Sequence, residues 1–215
     1  MSNVASFPVR PAAIHESLRA GILDQSVAPG STLTESAVAL QFGVTRPTAK
    51  LAIERLVSEG LLRREAHHAA RVPELTRDDI VDLYDTRAIV ETAAVEALAR
   101  DGGVPAEALA AHRSLLAHTS DDSFAHDDIA FHRAMVSGAP STRLPRMHAL
   151  LMGEIELCIG QVQAHHLLTA AQVAAQHQGI LDAVVAGDAP RAATLTREHI
   201  TGSRDRLLAH YDSTH

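Results

Sequence analysis

The chain has 215 residues, which is enough for two modest domains that each bury a core of their own. Hydrophobic residues make up 46% of it and aromatic residues only 3%, and the mean hydropathy is near zero, which predicts a water-soluble, mainly helical protein. The net charge of −7 does not favour nucleic-acid binding by the chain as a whole, and the single cysteine, Cys158, excludes an internal disulfide and a cysteine-based zinc module.

The apolar runs of the sequence are too short to cross a membrane, and the first ten residues lack the apolar core of a signal peptide. A lone cysteine also fits a reducing compartment. The sequence therefore predicts a cytoplasmic protein with no membrane partner. Residues 1–9 are predicted to form a mobile tail.

Three short helices are predicted in the first third of the chain. Apolar residues recur every four positions in residues 11–25, which predicts the first helix, and Pro29-Gly30 favours a tight turn after it. Residues 33–62, LTESAVALQFGVTRPTAKLAIERLVSEGLL, predict two more helices joined by a turn at Gly43-Val44.

Capping residues mark the ends of this helix pair. Thr34 and Thr45 are placed to cap the two N-termini, and Pro47 falls in the first turn of the second helix, where a missing N–H costs nothing. Gly60 is placed to end that helix, since a left-handed C-terminal position favours glycine. Each helix has a face predicted to be buried, which consists of Ala37, Val38 and Leu40 in the first and Ala49, Ile53, Leu56 and Val57 in the second.

The second helix of the pair also has a basic face. Arg46 and Lys50 are four residues apart and share an outward side. A helix that packs through its apolar side and carries cations in its first turn suits the DNA major groove, although helix-turn-helix shapes also occur in proteins that bind no nucleic acid. Residues 61–72 then predict a short hairpin, the wing of a winged helix, with three cations available to phosphates, namely Arg63, Arg64 and Arg71.

The order of helix, Pro-Gly turn, helix pair and wing resembles the DNA-binding domain of the GntR family of bacterial transcription regulators. The recognition helix of that family usually begins with a Ser-Arg-Thr-Pro-Val-Arg-like sequence. Here Thr45-Arg46-Pro47-Thr48-Ala49-Lys50 keeps both basic positions but exchanges the threonine and the proline. The wing departs further, because residues 67–70, His-His-Ala-Ala, replace the glycine usual at its tip and leave the tip less able to adopt a positive φ.

A double-stranded DNA operator is the partner implied by this resemblance. Arg46 is predicted to read a base edge, most naturally guanine, and Lys50 to contact a base or a phosphate. Arg55 points to another side of the helix and is predicted to contact a backbone phosphate or an internal partner. With the residues predicted to hold phosphates, the DNA-binding set is Thr45, Arg46, Thr48, Lys50, Arg63, Arg64 and Arg71.

Charge is distributed unevenly between the two parts of the sequence. Residues 1–72 hold eight basic and six acidic residues, whereas the remainder holds 11 basic and 20 acidic residues. This asymmetry is typical of a DNA-facing module joined to an acidic partner domain.

The second part of the sequence is helical throughout. Its periodicity predicts six helices, over residues 78–100, 105–118, 121–137, 141–166, 169–186 and 189–211. We therefore predict a mainly α protein, with an N-terminal winged helix-turn-helix at 9–73 followed by an antiparallel six-helix bundle at 77–212.

Four polar residues of the bundle are candidate metal ligands. Asp128 and His132 are four apart and share one helix face, and His177 and His199 stand among apolar residues on two other helices. Together they could converge on a divalent ion, although each alone also fits a surface ion pair or a core histidine bonded to a carbonyl. Seven other histidines are predicted to be solvated, namely His15, His112, His118, His165, His166, His210 and His215.

Residues 78–211 resemble the FCD ligand-binding domain that follows the winged helix in the FadR subfamily of GntR regulators. Residues 83–91, LYDTRAIVE, are similar to the opening signature of that domain, and Asp128, His132, His177 and His199 match its metal-binding positions. The six-helix count resembles the VanR-type branch. The sequence departs from the family after the third predicted bundle helix, where Ser137-Gly138-Ala139 replaces the frequent Ser-Gly-Asn.

The resemblance implies that a small organic acid is sensed through the metal and a nearby arginine. Arg87 lies in the matched signature and is the candidate for the effector carboxylate, since a guanidinium can bind one bidentately. Pairing of Arg87 with Asp85, Glu91 or another acidic group is the alternative. Three nitrogens and one carboxylate oxygen suit zinc first, and nickel, cobalt or manganese as well.

The predicted function is therefore a homodimeric, ligand-responsive repressor that binds a palindromic operator and is not an enzyme. A metal-dependent hydrolase using the Asp/His cluster is the alternative from another class, although the sequence has no HExxH motif. A third possibility is that the metal is purely structural or is itself the signal.

Overall fold

The computed structural model describes residues 11–101, 103–118 and 124–214. The chain divides into two compact units, Met1–Glu74 and Leu75–His215. The predicted tail at 1–9 lies outside the described residues. Within the described ranges, no helix is long and apolar enough to cross a membrane.

The first unit is a winged helix-turn-helix. Its elements are α1 (Pro11–Leu23), β1 (Thr32–Leu33), α2 (Glu35–Phe42), α3 (Arg46–Ser58) and β2 (Ala70–Arg71). The strand β2 pairs antiparallel with β1, and on its other side Arg71 exchanges two 2.8 Å backbone hydrogen bonds with Arg63. The predicted hairpin therefore exists, and it is joined to a small sheet.

The predicted caps of the helix pair are confirmed. The Thr34 hydroxyl accepts a hydrogen bond from the Ala37 backbone N–H at 3.1 Å, and the Thr45 hydroxyl accepts one from Thr48 at 3.4 Å. Gly43 turns the chain between the helices with a φ of 63°, and the chain leaves α3 through Gly60 with a φ of 80°. Both values lie in the left-handed region that glycine adopts without strain.

The face of α2 that packs inward differs from the prediction. Val38 is only 3% exposed, as expected, but Leu40 is 86% exposed and Ala37 is exposed as well. The second buried position is Ala39. An eight-residue helix buries one narrow stripe, and a residue two places after Val38 lies about 200° around the axis from it, which places Leu40 in solvent.

The second unit is a helical bundle. In residues 75–214, apart from 102 and 119–123, six helices are present, namely α4 (Arg77–Asp101), α5 (Ala106–Leu116), α6 (Ala125–Gly138), α7 (Leu144–Ala164), α8 (Ala170–Val185) and α9 (Ala189–Thr214). The helix predicted from 121 begins at Ala125, and residues 121–123 lie outside the described ranges.

Two apolar clusters fill the bundle, and they meet along α4. One cluster uses Leu83, Tyr84 and Ala88 of this helix, and the other uses its residues from Val90 onward. The polar residues Arg87 and Glu91 are buried at this junction. The architecture therefore places a polar layer between two apolar ones.

Two histidines predicted to be solvated are buried instead. The ring of His15 lies between α1 and the end of α3, with Nε2 2.7 Å from a carboxylate oxygen of Glu59. His112 is held by the side-chain oxygen of Gln178 at 3.0 Å. Each polar ring can be buried because a residue from another helix or its end supplies a hydrogen-bond partner. The periodicity of the sequence does not show that partner.

Candidate metal centre and nucleic-acid interface

The four predicted metal ligands come together inside the bundle. Asp128 and His132 are one turn apart on α6, His177 is on α8 and His199 is on α9, and all four are buried. One potential ligand atom from each lies within 4.8 Å of the others. Three helices therefore deliver three imidazoles and a carboxylate to one point.

Three of the distances between these groups suit a common ion. The Asp128 Oδ1 atom lies 3.1 Å from Nε2 of His177 and 3.4 Å from Nε2 of His132, and the Nε2 atoms of His132 and His199 are 3.1 Å apart. Ligands held about 2.1 Å from one ion are spaced about 3.0–3.4 Å apart at angles between 90° and tetrahedral. The buried Oδ1 of Asp128 and Nε2 of His177 have no hydrogen-bond partner in the described part of the chain, as expected of atoms whose partner is a cation.

Outer partners orient two of the imidazoles. Nδ1 of His132 lies 2.6 Å from the Glu91 carboxylate, and Nδ1 of His199 lies 2.7 Å from the Gln176 side-chain oxygen. Both oxygens accept hydrogen bonds, so each Nδ1 carries the proton and each Nε2 presents a lone pair. Two lone pairs 3.1 Å apart repel each other unless a cation or a proton lies between them.

The electrostatics favour the metal-binding protonation states of Asp128, His177 and His199, whereas His132 is shifted towards its protonated form. Burial raises the pKa of Asp128, but the adjacent imidazoles of His132 and His177 outweigh it and hold the pKa well below its usual range. Burial lowers the pKa of His177 to about 4, and burial with two neighbouring imidazoles lowers that of His199 well below its usual value. For His132, burial lowers the pKa, but the Glu91 carboxylate outweighs it and leaves the pKa raised.

Arg87 is buried next to this centre and is not free. Its Nε donates to Oε1 of Glu91 at 2.7 Å, which is one of the pairings left open from the sequence. His148 on α7 contacts the same oxygen at 3.1 Å. Among the described residues, the Nη2 group of Arg87 is buried without a partner, so one edge of the guanidinium still offers hydrogens.

Sequence reasoning did not place Glu91, Gln176 or His148 around the imidazoles, although it left Glu91 open as a partner of Arg87. Glu91 follows Arg87 by four residues, a spacing that indicates an ion pair but not its burial. Gln176 and His148 carry no signal in the sequence that separates them from ordinary helix residues. Only the packing of α8 on α9 and of α7 on α4 reveals them.

The basic face of α3 is exposed. The Arg46 side chain forms no ion pair or hydrogen bond within the described ranges, and Lys50 makes only a loose contact of 3.5 Å with Glu54. The hydroxyls of Thr45 and Thr48 lie 2.9 Å apart at the start of the helix. This end of α3 therefore presents the unpaired guanidinium of Arg46, the exposed ammonium of Lys50 and two hydroxyl groups to the outside.

The three arginines of the wing are placed differently. Arg63 is exposed, Arg71 donates from Nε to the Gly30 carbonyl at 2.6 Å, and Arg64 is partly buried with Glu35 at 4.0 Å. The tip also differs from the expectation, because His67 adopts a φ of 66° without a glycine. A non-glycine residue tolerates this conformation at some cost in strain.

A winged helix with exposed cations on its recognition helix, followed by a helical bundle around a polar centre, defines a two-domain DNA-binding regulator. Comparison with known families is specific. The model for bacterial regulatory proteins of the gntR family matches residues 11–72, and the model for the FCD domain matches residues 82–202. The chain belongs to the GntR family and carries the C-terminal FCD domain of its FadR-type subfamily. It is a DNA-binding transcriptional regulator and not an enzyme.

Individual relatives agree with this assignment. The chain is 26% identical over 202 residues to the HTH-type transcriptional regulator BphR of Paraburkholderia xenovorans, covering 89% of this chain and 82% of the relative. It is 28% identical over 124 residues to the gluconate operon transcriptional repressor of Bacillus subtilis, covering 55% and 51%. The crystal structure of a GntR regulator from Rhodococcus sp. RHA1 is similar over 93% of this chain and 97% of that one, with 25% identity and a TM-score of 0.72.

Proposed function

We propose that this regulator is a homodimeric repressor whose affinity for a palindromic operator is controlled by a small carboxylate that binds at a metal centre. The observation that carries the proposal is the buried cluster of Asp128, His132, His177 and His199, with ligand atoms within 4.8 Å of one another. A DNA-binding repressor of this kind works in the bacterial cytoplasm, with no membrane partner.

The operator is read by the exposed end of α3. Arg46 contacts a base edge, guanine being the best match for a free guanidinium, and Lys50 contacts a base or a phosphate. Phosphates are held by Thr45, Thr48, Arg63, Arg64 and Arg71. Within this set Arg64 has to leave the vicinity of Glu35 to reach DNA, so we assign it the weakest contact.

The four ligands suit a divalent ion that accepts both nitrogen and oxygen donor atoms. Zinc is the first assignment, and nickel, cobalt and manganese fit the same donors. When bound, such an ion supplies a coordination position that an organic carboxylate can fill. Glu91 and Gln176 keep the imidazoles of His132 and His199 aimed at it.

Arg87 is the proposed second anchor of the effector. Its Nε is engaged by Glu91, so only the unpartnered Nη2 edge remains for the effector carboxylate. A buried guanidinium N–H without a partner is costly, and an incoming carboxylate oxygen removes that cost. The effector therefore makes a single hydrogen bond or displaces Glu91 to gain a bidentate contact.

Two further parts of the proposal concern repression and the branch of the family, and they are supported by a relative and by the helix count. The Bacillus subtilis relative is named as a repressor of the gluconate operon, which supports repression here. The six helices observed in the described part of the second unit support the VanR-type branch of the family.

The DNA assignment is tested by replacing Arg46 with alanine and measuring binding to an operator selected from random DNA by the wild-type chain. We expect Arg46→Ala to lose about 10-fold to 100-fold in affinity per half-site, because the guanine contact is lost, while the melting temperature is unchanged. The matched control is Arg55→Ala, since Arg55 is on the same helix but is paired with Glu59 at 3.0 Å. Equal losses for the two variants would contradict the assignment of Arg46 as the base-reading residue.

A further inference from the structure

The outer side of α3 carries a large apolar side chain among its polar ones. Leu51 is 57% exposed, and Pro47, one turn before it on the same helix, is exposed as well. Single exposed leucines are common on protein surfaces, so the meaning of this one depends on where it lies on the helix and on what surrounds it.

Leu51 lies on the side of α3 that faces away from the core of the winged helix. The buried residues of the helix include Ala49, Ile53 and Leu56. Since successive residues are about 100° apart, Leu51 is about 200° around the axis from both Ala49 and Ile53. It is about 140° from Leu56. Leu51 therefore belongs to the same outward side of the helix as the exposed residue Lys50.

The charged residues that follow Leu51 by one turn have partners on α3 or at its end. Glu54 lies 3.5 Å from Lys50, and Arg55 donates from Nε to Glu59 at 3.0 Å. A phosphate placed against Leu51 would therefore find the nearest cation one turn along the helix already engaged. This part of the helix surface suits an apolar partner better than a phosphate.

The major groove of DNA contains one group that matches an exposed leucine. The base edges there present hydrogen-bond donors and acceptors, and the only alkyl group in unmodified DNA is the 5-methyl group of thymine. Apolar side chains recognise thymine through this methyl group, and the contact removes apolar surface of both partners from water. A leucine on the outward side of a recognition helix is therefore able to distinguish a base pair without a hydrogen bond.

We propose that Leu51 determines operator specificity by contacting the 5-methyl group of a thymine. Leu51 follows Arg46 by five residues, an axial rise of about 7.5 Å, and base pairs are spaced about 3.4 Å apart. The thymine therefore lies within about two base pairs of the guanine assigned to Arg46. The inference rests on the proposed function, since it requires that α3 enters the major groove, and it adds a base-reading residue that acts through apolar contact.

The contact is tested by removing the methyl group from the DNA. The full-length wild-type chain first selects an operator from random DNA, and each thymine of the half-site is then replaced in turn by deoxyuridine, which lacks only the 5-methyl group. We expect the wild-type affinity to fall about threefold to tenfold per half-site at one position within two base pairs of the guanine. Unchanged affinity for every deoxyuridine operator would overturn the inference.

The assignment of the contact to Leu51 is tested with two variants. Leu51→Ala is expected to bind the thymine and deoxyuridine operators equally, with an unchanged melting temperature, because alanine keeps the helix and the lost side chain is largely in solvent. The matched control is Leu40→Ala, since Leu40 is 86% exposed on α2 of the same unit, and this variant keeps the wild-type preference for thymine. A preference that persists in Leu51→Ala would overturn the inference, because the methyl group then acts through another residue or through DNA shape.

A second selection from random DNA tests the same assignment without modified bases. The sequences selected by Leu51→Ala are expected to lose the thymine at that position and to keep the guanine assigned to Arg46. Sequences that keep the thymine would overturn the inference.

The failure of this inference is distinguishable from failure of the proposed function. An operator whose affinity falls with Arg46→Ala but not with deoxyuridine overturns the role of Leu51 and leaves the DNA assignment of α3 standing. A wild-type chain that selects no sequence from random DNA overturns both the role of Leu51 and the proposed operator binding.

Discussion

The two units of this regulator differ in where they keep their charged groups. In the winged helix the cations of α3 are exposed and Arg46 has no protein partner in the described ranges. In the bundle the important charges are buried, and Asp128 and Glu91 are each surrounded by side chains within 3.4 Å. One unit therefore displays charge for an external partner, whereas the other encloses it.

This difference decides what a substitution does in each unit. Removing an exposed cation from α3 changes binding and leaves the fold intact, because nothing in the protein depends on that cation. Removing a buried group from the bundle leaves its former partners unsatisfied, so it changes stability and the geometry of the candidate metal centre together. Substitutions of the buried polar groups are therefore expected to have the largest effects on stability.

Glu91→Ala is expected to destabilise the bundle by about 3–5 kcal/mol, because it leaves the Arg87 charge buried and unpaired. Hydrogen exchange measured by mass spectrometry should show faster exchange in α4–α9 and unchanged exchange in α1–α3. The control is Glu96→Ala on the same helix, where the carboxylate forms a surface pair with Arg100 at 2.8 Å. That pair is worth only about 0.3–0.5 kcal/mol, so comparable losses in the two variants would contradict the account.

Gln176→Ala is expected to weaken metal binding about 10-fold to 100-fold, because the variant no longer holds Nδ1 of the ligand His199. Competition with a calibrated chelator measures the affinity. Gln178→Ala is the control, since this residue lies two positions further on α8 and bonds to His112 and Asp182 instead of a ligand. An equal loss in both variants would show that α8 packing, rather than orientation of His199, sets the affinity.

Leu40→Ala is expected to change the free energy of unfolding by less than about 0.5 kcal/mol, because the side chain is already in solvent. Val38→Ala on the same helix removes buried methyl groups and is expected to cost about 1–2 kcal/mol. Denaturant unfolding of the two variants measures the difference. A large loss for Leu40→Ala would mean that its side chain is covered by another molecule in solution.

Much of the fold follows from local patterns in the sequence. Capping residues such as Thr34 and Thr45 and breaks such as Gly43 act within one turn, so helix ends are predictable from neighbouring residues. The face that a short helix buries depends on its tertiary neighbours. That is why Val38 was predicted correctly and Leu40 was not, and why His15 and His112 proved to be buried.

The candidate site was likewise predictable from the sequence only in part. The spacing of Asp128 and His132 on one helix is visible in the sequence, whereas their approach to His177 and His199 depends on how three helices pack, and family resemblance supplied that expectation. The contacts of Glu91 with His132 and of Gln176 with His199 were not predicted, because they are defined only by which ring nitrogen each residue faces. Residue type and spacing carry no information about that geometry.

The central claim is that the state of the bundle's polar centre controls how tightly the winged helix binds DNA. It is tested most directly by measuring operator affinity for the wild-type chain with zinc bound and after removal of the metal, beside Asp128→Asn in the presence of zinc. We predict that the metal-free wild type and Asp128→Asn resemble each other and differ from the zinc-loaded wild type by at least about fivefold. Identical operator affinities for all three samples, with a lower melting temperature only where metal is lost, would contradict the claim and leave the metal a purely structural role.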